Sequence, residues 1–525
     1  MDGKLRRSGY RLRSVHHLVV NGEVDTSFQR SLARRLQKLN ELDQEILGYI
    51  DRRIQASSLR GFTAEEMLHF KRSMEMVDAY AQLQTLNFQP NASRFSSKLQ
   101  RTDKIEVPNA KNEPHNESSE NRLWREIIGL SSQKENTQTE DQSIELVSFL
   151  THCAEAIITG DHASINYFLS RLGEMASPTG STVHRLAAYF TEGLALSAVK
   201  LWPHVFSINP PRDVIEPIDD DEATALRLLD QATPIPKFIH FTLNERLMRA
   251  FEGKDKVHII DLDIKQGLQW PSLFQSLASR PNPPIHVRVT GIGESKPELQ
   301  NTGARLAALA DSLNLPFQFH AVVDQLEDVR LWMLHVKEGE CLAVNCVLQL
   351  HKTLYDDTGG SLRDLMSVIG STNPAIVLVA EEEADHNHHL LQLRFANSLK
   401  YYAAIFDALN VSLPEDSSER AKIEKMFARK IRNIIAREGT ERHENFSQWS
   451  RKMKDCRFKN VGIGDREKVQ SQVILRMYSD SSYSVEKIEE DGEALCLKWQ
   501  EQPLYTVSAW APMDIVGSST AAQPD

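Results

Sequence analysis

Two aspartates set two positions apart, Asp261 and Asp263, close an apolar run and precede Ile264-Lys265-Gln266-Gly267. Carboxylates at alternate positions of a strand end can project into one crevice, where they act as general acids or metal ligands. The plainer task for such a pair is structural: accepting backbone N–H bonds at the start of the next helix, whose dipole favours negative charge there. A methyltransferase would follow the acid with glycines at every second position, because the backbone must come close to the cofactor. Asp261 supplies the acid and Gly267 the last glycine, but Asp263 and Lys265 put side chains where the other two belong, so the pocket reads as partly filled. After the next apolar run, Thr290-Gly291-Ile292-Gly293 lacks a carboxylate for a ribose, with Glu294 just beyond.

A second run with chemical potential is Glu381-Glu382-Glu383-Ala384-Asp385-His386-Asn387-His388-His389. Its composition resembles a metal site. It lacks helical ligand spacing such as HExxH, however, and reads as a solvated strand-end loop, so no metal ligand is assigned. The sequence contains no GxSxG, P-loop or CxxC. Nothing in it supports nucleophilic catalysis, although a triad assembled in space stays open, and no cofactor is expected.

The elements that must position these residues follow from periodicity. After Gly253, short continuous apolar runs alternate with helical patterns, as in parallel strands buried on both faces. The runs are Val257–Ile264, His286–Ile292, Pro316–Val323, Cys341–Leu348 and Ala375–Ala380, with helical patterns at Trp270–Ala278, Gly303–Asn314 and Leu362–Ile369. This predicts an α/β, doubly wound, mostly parallel sheet. Tyr483–Ile488, Ala494–Trp499 and Tyr505–Trp510 alternate instead, with Asp491-Gly492 as a turn, and predict an antiparallel hairpin closing the sheet's edge. Before Gly253, amphipathic helices carrying Leu146, Phe149, Leu150, Cys153 and Ile157, then Ile165 to Leu172, then Thr182 to Trp202, read as a cap; Asp213–Glu222 reads as an acidic loop. The resulting division is a basic head with a helical hairpin over 1–92, a disordered polar linker over 93–142, a cap over 143–253, a core over 254–512 and a tail over 513–525.

Composition sets the class. With 41% apolar and 25% charged residues, the 525-residue chain can bury a sizeable core. The net charge is −11; residues 1–40 hold nine Lys/Arg against three Asp/Glu, a local +6 that leaves −17 for the remainder. An acidic body repels phosphate backbones, which disfavours a broad electrostatic grip on nucleic acid. Five cysteines without a CxxC pair indicate neither a disulfide framework nor a zinc ribbon, and point to a reducing compartment. No apolar run reaches the ~18 residues of a membrane span, so a soluble intracellular protein is expected.

At this point several blocks, in order, carry a resemblance. Val257-His258-Ile259-Ile260-Asp261 with Gln266-Gly267-Leu268-Gln269-Trp270-Pro271 resembles the VHIID block of the plant GRAS (scarecrow-like) transcriptional regulators. Leu146 to Phe206 is similar to the family's first leucine-rich region, Arg288 to Gly293 to its RxTGxG strand, and Leu306 to Leu354 to its second leucine-rich region. Pro374 with Phe395 and Tyr402, then Arg437-Glu438-Gly439 with Glu441-Arg442, resembles PFYRE; Trp499 and Ser508-Ala509-Trp510 resemble the closing SAW block.

The resemblance implies a Rossmann-like, methyltransferase-like core under an α-helical cap, in a nuclear, non-catalytic transcriptional co-regulator. It implies pairing with other GRAS proteins through Leu146, Phe149, Leu150, Ile157, Leu169 and Leu172, and indirect DNA association through DNA-binding transcription factors, without membrane or metal. Residues 1–142 lie outside the family pattern and lack a DELLA-like segment, which argues against direct gibberellin-receptor control. Each block also has a plainer reading. Trp270, Trp499 and Trp510 pack the core; Arg437, Glu438, Glu441 and Arg442 form ion pairs fixing cap to core; the basic stretch Lys4, Arg6, Arg7, Arg11, Arg13 is either a nuclear-import signal or a solvated tail. The alternatives to the regulator are an S-adenosylmethionine-dependent methyltransferase and a small-molecule sensor using the same crevice.

Overall fold

The structure, a computed structural model, describes residues 137–207, 219–356, 358–436, 442–478 and 482–513. The expected head and hairpin of 1–92, most of the expected linker and nearly all of the tail lie outside these residues.

The chain enters through α1 (Thr137–Thr159), α2 (His162–Met175), α3 (Thr182–Leu201), α4 (Asp219–Ala232) and α5 (Ile235–Ala250). Two boundaries differ from expectation. Helix α1 begins inside the segment expected to be linker, because the polar residues from Thr137 prolong the helix ahead of its apolar face. Helix α4 takes up the end of the expected acidic loop, placing Asp219 to Glu222 in a first turn, where the helix dipole favours negative charge. Between α1 and α2, Asp161 caps α2 by accepting from the N–H groups of Ala163 and Ser164 at 3.1 and 3.2 Å.

The alternating part runs β1 (Lys256–Asp261), α6 (Trp270–Ala278), β2 (His286–Gly293), α7 (Lys296–Ser312), β3 (Phe317–Val323), β4 (Cys341–Val347), α8 (Gly360–Ser371) and β5 (Ile376–Glu382). It continues with α9 (Leu391–Ser412), α10 (Ser418–Ile435), α11 (Phe446–Asp455), β6 (Phe458–Asn460), α12 (Asp465–Arg476), β7 (Tyr483–Ile488), β8 (Ala494–Trp499) and β9 (Gln502–Pro512). The sheet order is β3-β2-β1-β4-β5-β9-β8-β7, with β6 also pairing β9. The five strands β1 to β5 are mutually parallel, and β9, β8, β7 and β6 join antiparallel. This is a doubly wound sheet. Its strand order reverses at β1, so the crevice for a ligand lies outside the carboxyl ends of β1 and β4.

Both faces of the sheet are covered. On β5, Ile376, Leu378 and Ala380 pack into one cluster with the helices of the cap, while Val377 and Val379 pack into another with Leu362 and Met366 of α8 and Phe446 and Trp449 of α11. Two-residue alternation between two apolar layers is what a continuous apolar run becomes when its strand is central.

The helical layer is not confined to 143–253. Helices α9 and α10, inserted after β5, return to pack on α1, α3 and α4. The junction is partly ionic and buried: Arg185 of α3 donates to Glu424 of α10 at 3.0 Å, and Arg420 donates to the same carboxylate at 2.7 Å. Arg432 of α10 pairs with Glu192 of α3 at 2.7 Å. The cap is therefore tied by these residues; of those expected to do so, Arg442 donates to the Asn433 carbonyl at 3.4 Å. Arg437, Glu438 and Glu441 lie outside the described residues. All five cysteines are free, and among the described residues no helix is long and apolar enough to cross a membrane.

Candidate functional site

Strand β1 carries Asp261 to the switch point, beside Asn345 of β4 and Gly291 of β2 in register. The chain then makes a tight excursion before α6, in which Lys265 (φ +43°) and Gly267 (φ +61°) adopt left-handed conformations. At Gly267 the glycine matters twice, because an added Cβ would also come within 3.1 Å of the Thr302 methyl.

Asp261 is buried. Its Oδ2 accepts the Trp270 indole N–H at 2.9 Å, and its Oδ1 takes the Asn345 amide and the Asp263 backbone N–H, both at 3.4 Å. Asn345 donates on to Gln269 Oε1 at 3.0 Å; Gln269 donates to Asn244 Oδ1 of α5 at 3.1 Å; and Asn244 donates to Ser272 Oγ and the Gln269 carbonyl, each at 2.9 Å. Every side chain in this network, those of Asp261, Trp270, Asn345, Gln269, Asn244 and Ser272, is buried. Desolvation first, and the charge of Asp263 second, push the Asp261 carboxyl up to about 7 against the hydrogen bonds it accepts.

The expectation that Asp261 and Asp263 cap the following helix is corrected. Gln269 stands at the head of α6 without a side-chain cap, because the excursion from Leu262 to Gln269 separates both carboxylates from its first turn. Asp263 instead accepts from the Gln349 amide at 2.8 Å and lies 3.6 Å from Lys265 Nζ. Lys265 reaches Glu222 of α4 at 3.0 Å, and Glu222 also pairs with Arg429 of α10 at 2.9 Å. Gln266 is held by Arg227 at its side chain and by Arg305 at its carbonyl, both at 2.6 Å.

The apolar floor is closed too. Ile264 is buried over β2, and a Cβ at Gly291 would stand 2.7 Å from its Cγ2. The space that a glycine-rich loop leaves for a cofactor is thus taken by Ile264, Trp270 and the tethered side chains of 263 and 265. In the rest of the block, Val257, Ile259 and Ile260 are core. His258 lies against Thr290 Oγ1 at 2.8 Å and beside the Arg288–Glu340 ion pair; burial and Arg288 hold its imidazole down at about 3, so it is neutral at physiological pH.

The other expected site residues separate by burial. Leu146, Leu150, Ile157 and Leu172 point into the core and cannot meet a partner, whereas Phe149 and Leu169 are half-buried. The exposed apolar groups of that region are Ile158 and Tyr167, 50% and 55% exposed; Tyr167 meets the edge of Phe168 at 5.3 Å, and Phe168 in turn pairs with Phe149 at 5.9 Å. Pro374 is buried ahead of β5; Phe395 packs edge-on to Phe190 at 5.6 Å, and Tyr402 lies over His386 at 5.8 Å. Trp499 donates to Asp407 at 2.8 Å and Trp510 to Ser508 at 2.9 Å, with Ala509 between them in the sheet interior.

The run from Glu381 to His389 is not a solvated loop. Glu381, Glu382, Ala384 and His386 are buried, because the first two end β5 and α9 and α10 pass over the segment. His386 meets His443, 57 positions away, through a backbone bond of 2.8 Å and ring nitrogens 3.1 Å apart. His443, Asn345, Asn244 and Gln349 went unnoticed in the sequence because no local spacing marks them.

The GRAS domain family pattern matches residues 146–511. The chain is 51% identical over 435 residues to Scarecrow-like protein 28 of Arabidopsis thaliana, a match spanning 80% of this chain and 66% of that one. It is 55% identical over 400 residues to Protein DWARF AND LOW-TILLERING of Oryza sativa subsp. japonica, covering 73% and 64%. The match thus spans just under two thirds of either relative's length. The crystal structure of SCL7 in Oryza sativa superposes with a TM-score of 0.61 at 29% identity, covering 70% of this chain and 99% of that one.

Proposed function

This chain belongs to the GRAS domain family, and we propose that it is a nuclear, non-catalytic transcriptional co-regulator that works through protein contacts. Family membership supports a regulatory role. The observation that carries the non-catalytic reading is the filled crevice: the carboxylate at the end of β1 is spent on Trp270 and Asn345, and Ile264 occupies the space over Gly291. A buried polar network with all its members satisfied is a scaffold, since a ligand entering it would break more hydrogen bonds than it could replace.

The proposed partners are other GRAS proteins, met through the exposed aromatic edge of α1 and α2, and DNA-binding transcription factors that bring the complex to DNA. A net charge of −11 fits indirect association. Titration of the purified full chain with S-adenosylmethionine tests the reading. No saturable binding is expected, and tight binding would restore the enzyme. A gel-shift assay with the chain alone is expected to show no sequence-specific complex at nanomolar protein, and such a complex would refute the indirect mode.

A further inference from the structure

We propose that Glu382, His386 and His443 form a binding site for a zinc-type dication that staples the end of β5 to the chain entering α11. The three side chains are wholly buried, and one potential ligand atom from each lies within 4.8 Å of the other two. Glu382 Oε2 and His443 Nε2 stand 3.5 Å apart. Zinc–nitrogen and zinc–oxygen bonds of about 2.0–2.1 Å place neighbouring tetrahedral ligands about 3.3 Å apart, so the Glu382–His443 pair already stands near that spacing and side-chain rotation must close the remaining separations by up to about 1.5 Å.

The independent observation is the carboxylate. Glu382 Oε1 is fixed by Lys430 Nζ at 2.6 Å, while Oε2, equally buried, accepts no hydrogen bond and is turned toward the two imidazoles. A buried carboxylate oxygen left without a donor is costly, and a metal ion removes that cost directly. The surroundings suit a structural site. The His386 N–H donates to the His443 carbonyl at 2.8 Å, which sets the spacing of the two histidine backbones. Tyr402 lies over the His386 ring and Tyr401 meets its edge at 5.3 Å, while the His351 ring, held by Glu381 at 2.9 Å, stands 4.5 Å from that of His443. Two imidazoles and one carboxylate are borderline donors of the kind zinc takes, and three protein ligands leave a fourth position for water. Lys430, bonded to the distal carboxylate oxygen, orients the ligand from outside and links the site to α10.

The full chain, made without a histidine tag, stripped with chelator and titrated with Zn²⁺ against a chromogenic competitor, is expected to bind one equivalent. Glu382→Gln and His443→Gln are each expected to lose that equivalent. The double variant His388→Ala, His389→Ala removes a neighbouring stacked pair, His388 half-buried and His389 exposed, and is expected to keep it. If zinc binding survives His443→Gln, or disappears with the neighbouring pair, the proposal is overturned. Should the buried variants fail to fold, Co²⁺ loading of the unaltered chain decides. The proposal expects one equivalent of intense tetrahedral-type visible absorption displaced by zinc, and only weak octahedral absorption overturns it.

Discussion

Asp261→Asn turns the filled crevice into a measurement. The carboxyl titrates near 7 in the folded chain and near 3.8 when unfolded. The folded state therefore holds this proton better than the unfolded state does. Stability from the protonated group is present at low pH and is lost as pH rises through about 7. Integrated between pH 5 and pH 8, that difference lowers the stability of the unaltered protein by about 2.5 kcal/mol. Asparagine keeps an acceptor for the Trp270 indole but turns an amide toward other donors, a pH-independent loss of about 1 kcal/mol. The variant should thus gain about 2.5 kcal/mol on the unaltered chain across this range. With about 2.1 cal/mol/K of unfolding entropy per residue over a unit the size of residues 146–511, that is about 3 °C of melting temperature. Thermal melts of both proteins at pH 5, 6, 7 and 8 provide the test, and subtraction cancels titrating groups common to both. An offset that does not change with pH would refute the reasoning. Full loss of reporter-gene output at unchanged stability would instead make the carboxylate a functional group.

Tyr167→Glu is expected to abolish pairing with a GRAS partner at unchanged helicity, whereas Leu150→Glu should unfold the cap; circular dichroism alongside pull-down separates them. Glu424→Ala strands Arg185 and Arg420 in the interior and should cost about 3–5 kcal/mol in denaturant titrations; a loss below about 1 kcal/mol would show that the α3–α10 junction does not depend on this pair. Gly291→Ala should cost about 1–3 kcal/mol by displacing Ile264, with a smaller additional loss when Ile264→Ala is already present; strict additivity in the double-mutant cycle would mean that Ile264 does not fill that space.

Much of the scaffold is written locally. Helix α6 spans the expected residues because Pro271 starts it and Ser279-Arg280-Pro281 ends its pattern, and each of the five parallel strands lies on an expected apolar run. The period-3.6 leucines of α1 and α2 did announce a buried face. They did not announce what buries it, and so Leu146, Leu150, Ile157 and Leu172 serve the intramolecular core rather than a partner.

Charge-rich segments misled for the same reason. A run of acids and histidines ordinarily stays in water, yet two long helices inserted after β5 fold back over Glu382 and His386 and bury them. Periodicity, turn chemistry and capping act over a few residues, and what they encode was legible: strands β1 to β5 and β7 to β9, helices α1 to α3, α6 and α8, the doubly wound class and the side chains that obstruct the glycine loop; the helices inserted after β5 and the order of the strands were not. Which distant groups meet was decided only by tertiary packing. Arg185 finds Glu424 from 239 positions away, and His386 finds His443 from 57, because sheet order and helix packing set those distances and no local spacing encodes them.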